Sequence, residues 1–171
     1  MDRRAESENI YRDFPLMKIK WSIIYSTCLG CGFFPKIPGT IGTLLSFAVY
    51  LILPDRYFIN FQSNLVFIFL ILLISVISIP VITKAEKYLG HDSGKIVIDE
   101  FLGYMIAVSF LPKGYITGML AFIFFRIFDI WKLEPANSLQ KLPGGSGVMA
   151  DDIMAGIYAN ILTRLILKYI L

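Results

Sequence analysis

The stretch LVFIFLILLISVISIPVI, residues 65–82, contains eighteen residues without a formal charge. Only Ser75, Ser78 and Pro80 interrupt its apolar character. A helix of this length is just long enough to cross the hydrocarbon core of a bilayer, which takes roughly 20 apolar residues. The stretch therefore predicts a membrane-spanning helix.

The whole chain is unusually apolar for its size. It has 171 residues, of which 56% are hydrophobic and 17% charged, and its mean hydropathy is +0.67. A soluble domain of this size has too little interior to bury so many apolar side chains, so we expect part of the surface to face lipid. The composition excludes a disordered chain, a collagen and a disulfide scaffold. The net charge of +3 gives no reason to expect a nucleic-acid partner.

Four further apolar segments lie at residues 41–53, 96–111, 115–131 and 153–171. In the charged segments the acidic residues gather near one end and do not form a polar stripe, which is typical of membrane helices. We predict an all-α integral-membrane bundle of about five helices, four or five of them inserted. Residues 1–20 would be a polar N-terminal tail and residues 21–171 a single helical domain. A water-soluble bundle is the alternative, because several segments are short for a span.

Alternation of the five segments places their connections on two sides. Residues 1–40, 83–95 and 132–152 fall on one side, and residues 54–64 and 112–114 on the other. The second set contains only two basic residues, Arg56 and Lys113. The first set is predicted to be cytoplasmic because it is much richer in basic residues. Its members are Arg3, Arg4, Arg12, Lys18, Lys20, Lys36, Lys84, Lys87, Lys95, Lys132 and Lys141.

The first polar group is the loop GCGFFPKIPGTIGT, residues 30–43. Glycines let a backbone approach a ligand closely, and free N–H groups at a helix start attract anions. We predict that Thr40 caps the following helix and that Lys36, Thr40 and Thr43 bind a phosphate. A Gly/Pro turn with a routine threonine cap explains the local sequence equally well.

Two acidic residues form the second polar group. Asp99 and Glu100 are adjacent at the mouth of an apolar segment, where lipid would not solvate them. We therefore expect them to face water, a cation or a metal. The structural alternative is that they complement the dipole of a helix N-terminus.

The third group mixes both signs of charge. Arg126 and Asp129 stand three residues apart, with Lys132 close behind, and a GGSG stretch at 144–147 precedes Asp151 and Asp152. A plain ion pair on one helix face would explain the first two residues. A plain helix start would explain the last two.

All three groups fall on the cytoplasmic face of the predicted topology, so we expect them to form one site. Five carboxylates there offer the hard oxygen ligands that suit Mg²⁺. The predicted metal ligands are Asp99, Glu100, Asp129, Asp151 and Asp152. The predicted phosphate-binding residues are Lys36, Thr40, Thr43, Arg126 and Lys132. Together they indicate metal-assisted phosphoryl chemistry on a membrane-borne substrate.

Four ordered motifs resemble those of the phosphatidylglycerophosphatase A family of bacterial inner-membrane lipid phosphatases. They are FPKIPGTIGT at 34–43, IDEFLG at 98–103, FRIFDIWK at 125–132 and GGSGVMADDIMAG at 144–156. The resemblance implies Mg²⁺-dependent removal of the terminal phosphate from phosphatidylglycerophosphate. It also implies a bacterial inner-membrane location with the site facing the cytoplasm.

The candidate catalytic residues are Asp129, Asp152, Asp99 and Glu100. Asp129 or Asp152 would act as general base, and a covalent aspartyl-phosphate route fits the same residues. The expected partner is a phospholipid substrate in the membrane, and the sequence predicts no oligomeric state. The alternatives are a phosphatase for another membrane lipid phosphate, a small transporter or channel, and a non-catalytic assembly protein.

Overall fold

A computed structural model describes residues 20–169. Within that range the chain forms seven α-helices and no strand, which confirms the predicted all-α class. The helices are α1 (Trp21–Ser26), α2 (Pro38–Ile52), α3 (Phe61–Leu89), α4 (Ile98–Ala107), α5 (Tyr115–Trp131), α6 (Ala136–Leu139) and α7 (Gly145–Tyr169). Short 3₁₀ turns lie at Cys31–Phe33 and Asp55–Tyr57.

The five longest helices correspond to the five predicted segments, whereas the short helices α1 and α6 were not predicted. Helix α3 is longer than its apolar run, because its polar ends are also helical. Asn60 starts it by accepting a hydrogen bond from the Ser63 N–H at 2.8 Å. At the other end Gly90 follows the helix in left-handed backbone, with φ +98°.

Helix α3 is the one described helix that is long and apolar enough to cross a membrane, judged by length and composition. Its most apolar window has a mean hydropathy of 3.2, and only 28% of that window is buried. A core helix of a soluble protein would be mostly buried, so most of this apolar surface faces outwards. The hydroxyls of Ser75 and Ser78 do not interrupt the helix, because each donates to a carbonyl one turn earlier.

The predicted segment 96–111 is helical only as far as Ala107. Asn160 of α7 donates to the carbonyls of Ala107 at 2.9 Å and Ser109 at 2.6 Å. The Phe110 N–H donates to the Asn64 side chain at 2.8 Å. These side chains satisfy backbone groups that a longer helix would have paired internally. Helix α4 therefore ends early without leaving those groups unsatisfied.

Helix α4 packs most closely against α7. A Cβ atom at Gly156 would lie 2.3 Å from the carbonyl oxygen of Gly103, and one at Gly103 would lie 2.7 Å from the carbonyl oxygen of Asp152. Only glycine allows two helix backbones to approach so closely. Asp99 and Asp152 each lie four residues before one of these glycines, on the same helix face. The crossing therefore brings the two carboxylates together.

The α4–α7 crossing predicts a large effect of Gly156→Ala on stability. The added methyl would meet backbone, which cannot rotate away as a side chain can, so we expect a loss of about 1–3 kcal/mol. That corresponds to a fall of roughly 2–12 °C in melting temperature, measured by thermal unfolding in detergent. Gly114→Ala is the matched control, because nothing lies within 4 Å of a Cβ there. Equal melting temperatures for the two variants would show that the crossing is not tightly packed.

Candidate active site

A cavity of about 460 Å³ opens where the starts of α2, α4 and α7 meet the ends of α3 and α5. It is lined by residues from all three polar groups of the sequence. Nine of the ten predicted site residues line it: Lys36, Thr40, Asp99, Glu100, Arg126, Asp129, Lys132, Asp151 and Asp152. Thr43 does not.

Three carboxylates form the acidic part of the cavity. Oxygen atoms of Asp99, Glu100 and Asp152 all lie within 4.8 Å of one another. Asp99 is 6% exposed and Asp152 is 4% exposed, so water does little to separate their charges. Among residues 20–169, Oδ1 of Asp99 and Oε2 of Glu100 are buried without a hydrogen-bond partner.

This acidic group fits a divalent cation. Buried like charges at such distances are unfavourable unless a cation lies between them or protons neutralise them. Carboxylate oxygens are the ligands that Mg²⁺ prefers, and the two oxygens without partners are available to bind it. Asp99, Glu100 and Asp152 are thus the residues that would hold the metal.

Asp129 lies outside this acidic group and pairs with a cation of the chain itself. Its Oδ2 lies 2.5 Å from Nη1 of Arg126, one turn earlier on α5. The same Nη1 atom is 4.0 Å from Oε1 of Glu100. Nε of Arg126 is buried and has no partner in the described part of the chain. Arg126 therefore retains a donor for an anionic ligand.

Asp151 is likewise paired, with Lys132. Its Oδ2 lies 2.6 Å from Nζ of Lys132. Burial alone would lower the pKa of Lys132, but Asp151 outweighs it, with a further contribution from Asp92, and the pKa is raised. The lysine thus stays positively charged at the cavity wall. The five carboxylates of the predicted metal site are therefore separated into a group of three and two that form ion pairs.

The glycine loop differs in detail from its prediction. Helix α2 begins at Pro38 after Ile37, without a side-chain cap, so the prediction that Thr40 caps it was wrong. Proline suits the first helical position because its missing N–H would have had no partner there. Thr40 instead lines the cavity.

Thr43 is fully buried, which is why it does not line the cavity. Its hydroxyl donates to the Gly39 carbonyl at 2.9 Å and accepts from Arg126 at 3.5 Å. Direct phosphate contact by Thr43, as predicted, does not agree with this position. The residue instead contacts the guanidinium that reaches the cavity.

Gly39 is needed where α2 approaches α4 and α5. A Cβ atom there would lie 2.2 Å from Oε1 of Glu100 and 3.1 Å from Nη1 of Arg126. The glycine therefore lets both charged groups lie against the helix start.

The GGSG stretch is not a loop, because Gly145 already begins α7. Its glycines allow close packing. A Cβ at Gly145 would lie 2.5 Å from the Ile79 carbonyl oxygen, and one at Gly147 would lie 2.5 Å from the carbonyl oxygens of both Gln140 and Leu142. Asp151 and Asp152 consequently lie in the second turn of α7 and not at its first residues.

One cavity wall was missed by the sequence analysis. Asp92, Ser93 and Gly94, in the loop between α3 and α4, also line the cavity. No motif marks them, although the predicted topology placed their loop on the same side as the three polar groups.

The comparisons with known proteins agree on one family. The model of the family described as phosphatidylglycerophosphatase A matches residues 24–167. A Bacteroides thetaiotaomicron protein with the provisional name phosphatidylinositol-3-phosphatase is 35% identical, over 82% of this chain and 89% of the relative. The proteins named phosphatidylglycerophosphatase A from Escherichia coli and Haemophilus influenzae are each 33% identical. They cover 82% and 77% of this chain, and 80% of each relative is matched. No solved structure matches the chain.

The acidic group predicts opposite effects of Asp99→Asn with and without metal. Removing one of three neighbouring charges relieves repulsion, so the variant should melt at a higher temperature than wild type in the presence of a chelator. Saturating Mg²⁺ should raise the wild-type melting temperature, because a ligand at a hundred times its dissociation constant stabilises by about 2.7 kcal/mol. It should raise that of the variant much less.

Asp55→Asn is the matched control for this measurement. Asp55 is an acidic residue at the opposite end of the bundle, 2.8 Å from Lys113. This variant should respond to Mg²⁺ as wild type does. An equal Mg²⁺ response in all three proteins would contradict metal binding at Asp99.

Proposed function

The chain belongs to the phosphatidylglycerophosphatase A family, and we propose that it hydrolyses phosphatidylglycerophosphate to phosphatidylglycerol and phosphate with the help of Mg²⁺. Membership of this family makes it a lipid phosphatase. The proposal adds the substrate, the metal, the residues and the location. We place it in the bacterial inner membrane with the cavity facing the cytoplasm.

One observation carries the proposal. Three neighbouring carboxylates, two of them buried and that of Glu100 half-buried, line the same cavity as three basic side chains, those of Lys36, Arg126 and Lys132. A phosphate monoester is a dianion that binds both to basic groups and to a divalent cation. A site with both is what metal-assisted phosphoryl transfer needs.

Each group then has a role in hydrolysis. When bound by Asp99, Glu100 and Asp152, Mg²⁺ supplies a Lewis acid that polarises a phosphoryl oxygen. Arg126 and Lys132 orient the phosphate and stabilise the charge that develops on it. Their ion pairs with Asp129 and Asp151 hold both side chains in place before substrate binds.

Asp129 is the proposed general base, because it lines the cavity but lies outside the metal-binding group. It takes a proton from the water that attacks phosphorus, the P–O bond to the headgroup breaks, and cavity water protonates the leaving oxygen. The same position suits direct attack of the Asp129 carboxylate on phosphorus. Both routes require its negative charge.

A second lipid phosphate remains a candidate substrate, because a relative at 35% identity is provisionally named a phosphatidylinositol-3-phosphatase. That name also describes a phosphate monoester on a lipid headgroup. A transporter would place its charged residues along the membrane depth. Here the paired and grouped charges of the cavity lie at one end of the bundle.

Helix α3 supports the proposed location, because its apolar run marks the depth that the hydrocarbon core would occupy. Its apolar run ends at Ile82, and the next residue, Thr83, accepts a hydrogen bond from the Gly145 N–H at 2.9 Å. The start of α7 thus lies at the level where the headgroup layer would begin. Exposed apolar residues flank both cavity lysines near this level: Phe33, Phe34, Ile37, Ile130, Trp131 and Leu133. Aromatic residues favour that layer.

We further propose that α2, α4, α5 and α7 are inserted in the bilayer together with α3, with the largely buried α4 in the interior of the bundle. Exposed apolar side chains lie on α2, α5 and α7, as they do on α3, among them Leu44, Leu51, Ile123, Ile157 and Ile161. The described basic residues on the cavity side outnumber those at the other end, where Arg56, Lys113, Arg164 and Lys168 lie. This asymmetry supports a cytoplasmic cavity. Arg3, Arg4, Arg12 and Lys18 of the predicted set lie outside the described residues.

Phosphate release from phosphatidylglycerophosphate in detergent tests the reaction. We expect wild type to require Mg²⁺, and Asp129→Asn and Asp152→Asn to lower the rate by about a hundredfold or more, the effect expected for loss of a general base or a metal ligand. Asp55→Asn should keep the wild-type rate. Wild-type rates in both cavity variants would refute the carboxylate mechanism and favour the assembly-protein alternative.

The membrane position can be tested with Trp131, which is 71% exposed beside the cavity. The chain has two tryptophans, so Trp21→Phe leaves Trp131 as the single reporter. In reconstituted vesicles we expect lipids brominated near the headgroup to quench its fluorescence more than lipids brominated near the chain end. Quenching by aqueous iodide alone would place the cavity mouth in water.

A further inference from the structure

The loop between α3 and α4 is fixed by a buried carboxylate that has no role in the proposed mechanism. The side chain of Glu86 is 8% exposed, and its Oε1 accepts the Asp92 N–H at 3.0 Å and lies 2.7 Å from Nδ1 of His91. A buried charge is costly unless hydrogen bonds compensate it. Glu86 thus holds the loop backbone in one conformation at the cavity wall.

The conformation that is held places Asp92 at the cavity. Its backbone is left-handed, with φ +47°, a region that aspartate and asparagine adopt more readily than most residues. Its Oδ2 accepts a hydrogen bond from Nε2 of Gln140 at 2.5 Å. Gln140 follows α6, so this contact joins the loop between α3 and α4 to the segment between α6 and α7.

Asp92 differs in its contacts from the other cavity carboxylates. It is absent from the group of three that fits a metal, and within residues 20–169 it forms no ion pair. It is exposed, and its carboxylate can only accept hydrogen bonds. A phosphate dianion would be repelled by it, whereas a hydroxyl would donate to it.

We propose that Asp92, held in place by Gln140, forms a subsite for a hydroxyl of the lipid headgroup, and so selects phosphate monoesters carried on a polyol. The inference rests on the proposed function. Both substrates considered above, phosphatidylglycerophosphate and phosphatidylinositol 3-phosphate, have such a hydroxyl beside the phosphate. Phosphatidic acid has the same phosphate monoester and acyl chains but no headgroup hydroxyl.

The test compares kcat/KM for these three lipids in mixed micelles of equal composition. Asp92→Ala should lower kcat/KM for at least one hydroxyl-bearing lipid by about tenfold relative to phosphatidic acid, since a hydrogen bond to a charged group is lost. The lipid whose kcat/KM falls in Asp92→Ala identifies the headgroup that Asp92 recognises. Asp92→Asn keeps an acceptor in the same backbone conformation, so it should give a smaller loss in the same direction and should fold as wild type does.

Glu134→Gln is the matched control, because it removes an exposed negative charge from the same side of the molecule but does not line the cavity. This variant should leave the ratios of kcat/KM among the three lipids unchanged. An equal change for all three lipids in Asp92→Ala, as expected from a general electrostatic effect on Lys132, would overturn the subsite. The subsite would also be overturned if Asp92→Ala left the ratio of kcat/KM for each hydroxyl-bearing lipid to that for phosphatidic acid unchanged. Absence of phosphate release by wild type from every lipid would overturn the proposed function itself.

Discussion

The close crossing of α4 and α7 is the constraint on which the rest of the site depends. Gly103 and Gly156 let the two backbones touch, and Asp99 and Asp152 lie one turn before them. Without that approach the carboxylates would be too far apart to share a cation. The crossing also explains why the apolar composition includes glycines in helix interiors, where they otherwise lower helix stability by about 1 kcal/mol relative to alanine.

Some of the carboxylates around this crossing pair with basic side chains and others do not. Arg126 approaches Glu100 and pairs with Asp129, and Lys132 pairs with Asp151, so two of the five carboxylates are compensated within the chain. The remaining three, Asp99, Glu100 and Asp152, lie close together, and among residues 20–169 only Glu100 of these three has a basic group nearby, Arg126 at 4.0 Å. Low dielectric strengthens repulsion among them, as it strengthens attraction to a cation. Because repulsion destabilises the empty site, binding of a cation would stabilise the protein more than at a site without such repulsion.

Much of this architecture is predictable from sequence, because long apolar runs indicate helices. The run at 65–82 lies within α3, and the segment 115–131 coincides with α5. Helix ends set by side-chain contacts were not predictable: Asn160 ends α4 through carbonyls that lie about fifty residues away in sequence. Glycines are equally ambiguous, since GGSG indicated a loop where the residues instead allow close packing. The site residues were identifiable as charges in apolar surroundings, but only the fold shows which carboxylates are paired.

The depth of the carboxylates gives the cavity its shape. Asp152 follows Gly145 by seven residues, which is about 10 Å along α7. Since Gly145 lies beside Thr83 and Asn160 lies near the other end of α4, α7 runs back alongside the apolar part of α3. The proposed metal-binding residues therefore lie deeper than the proposed headgroup layer, and a lipid phosphate would have to enter the cavity to reach them. Lys36 and Lys132 line the cavity, both in left-handed backbone, and in the proposed mechanism they would compensate the phosphate charge along that path. Strained backbone at these two positions is consistent with selection for charge placement over stability.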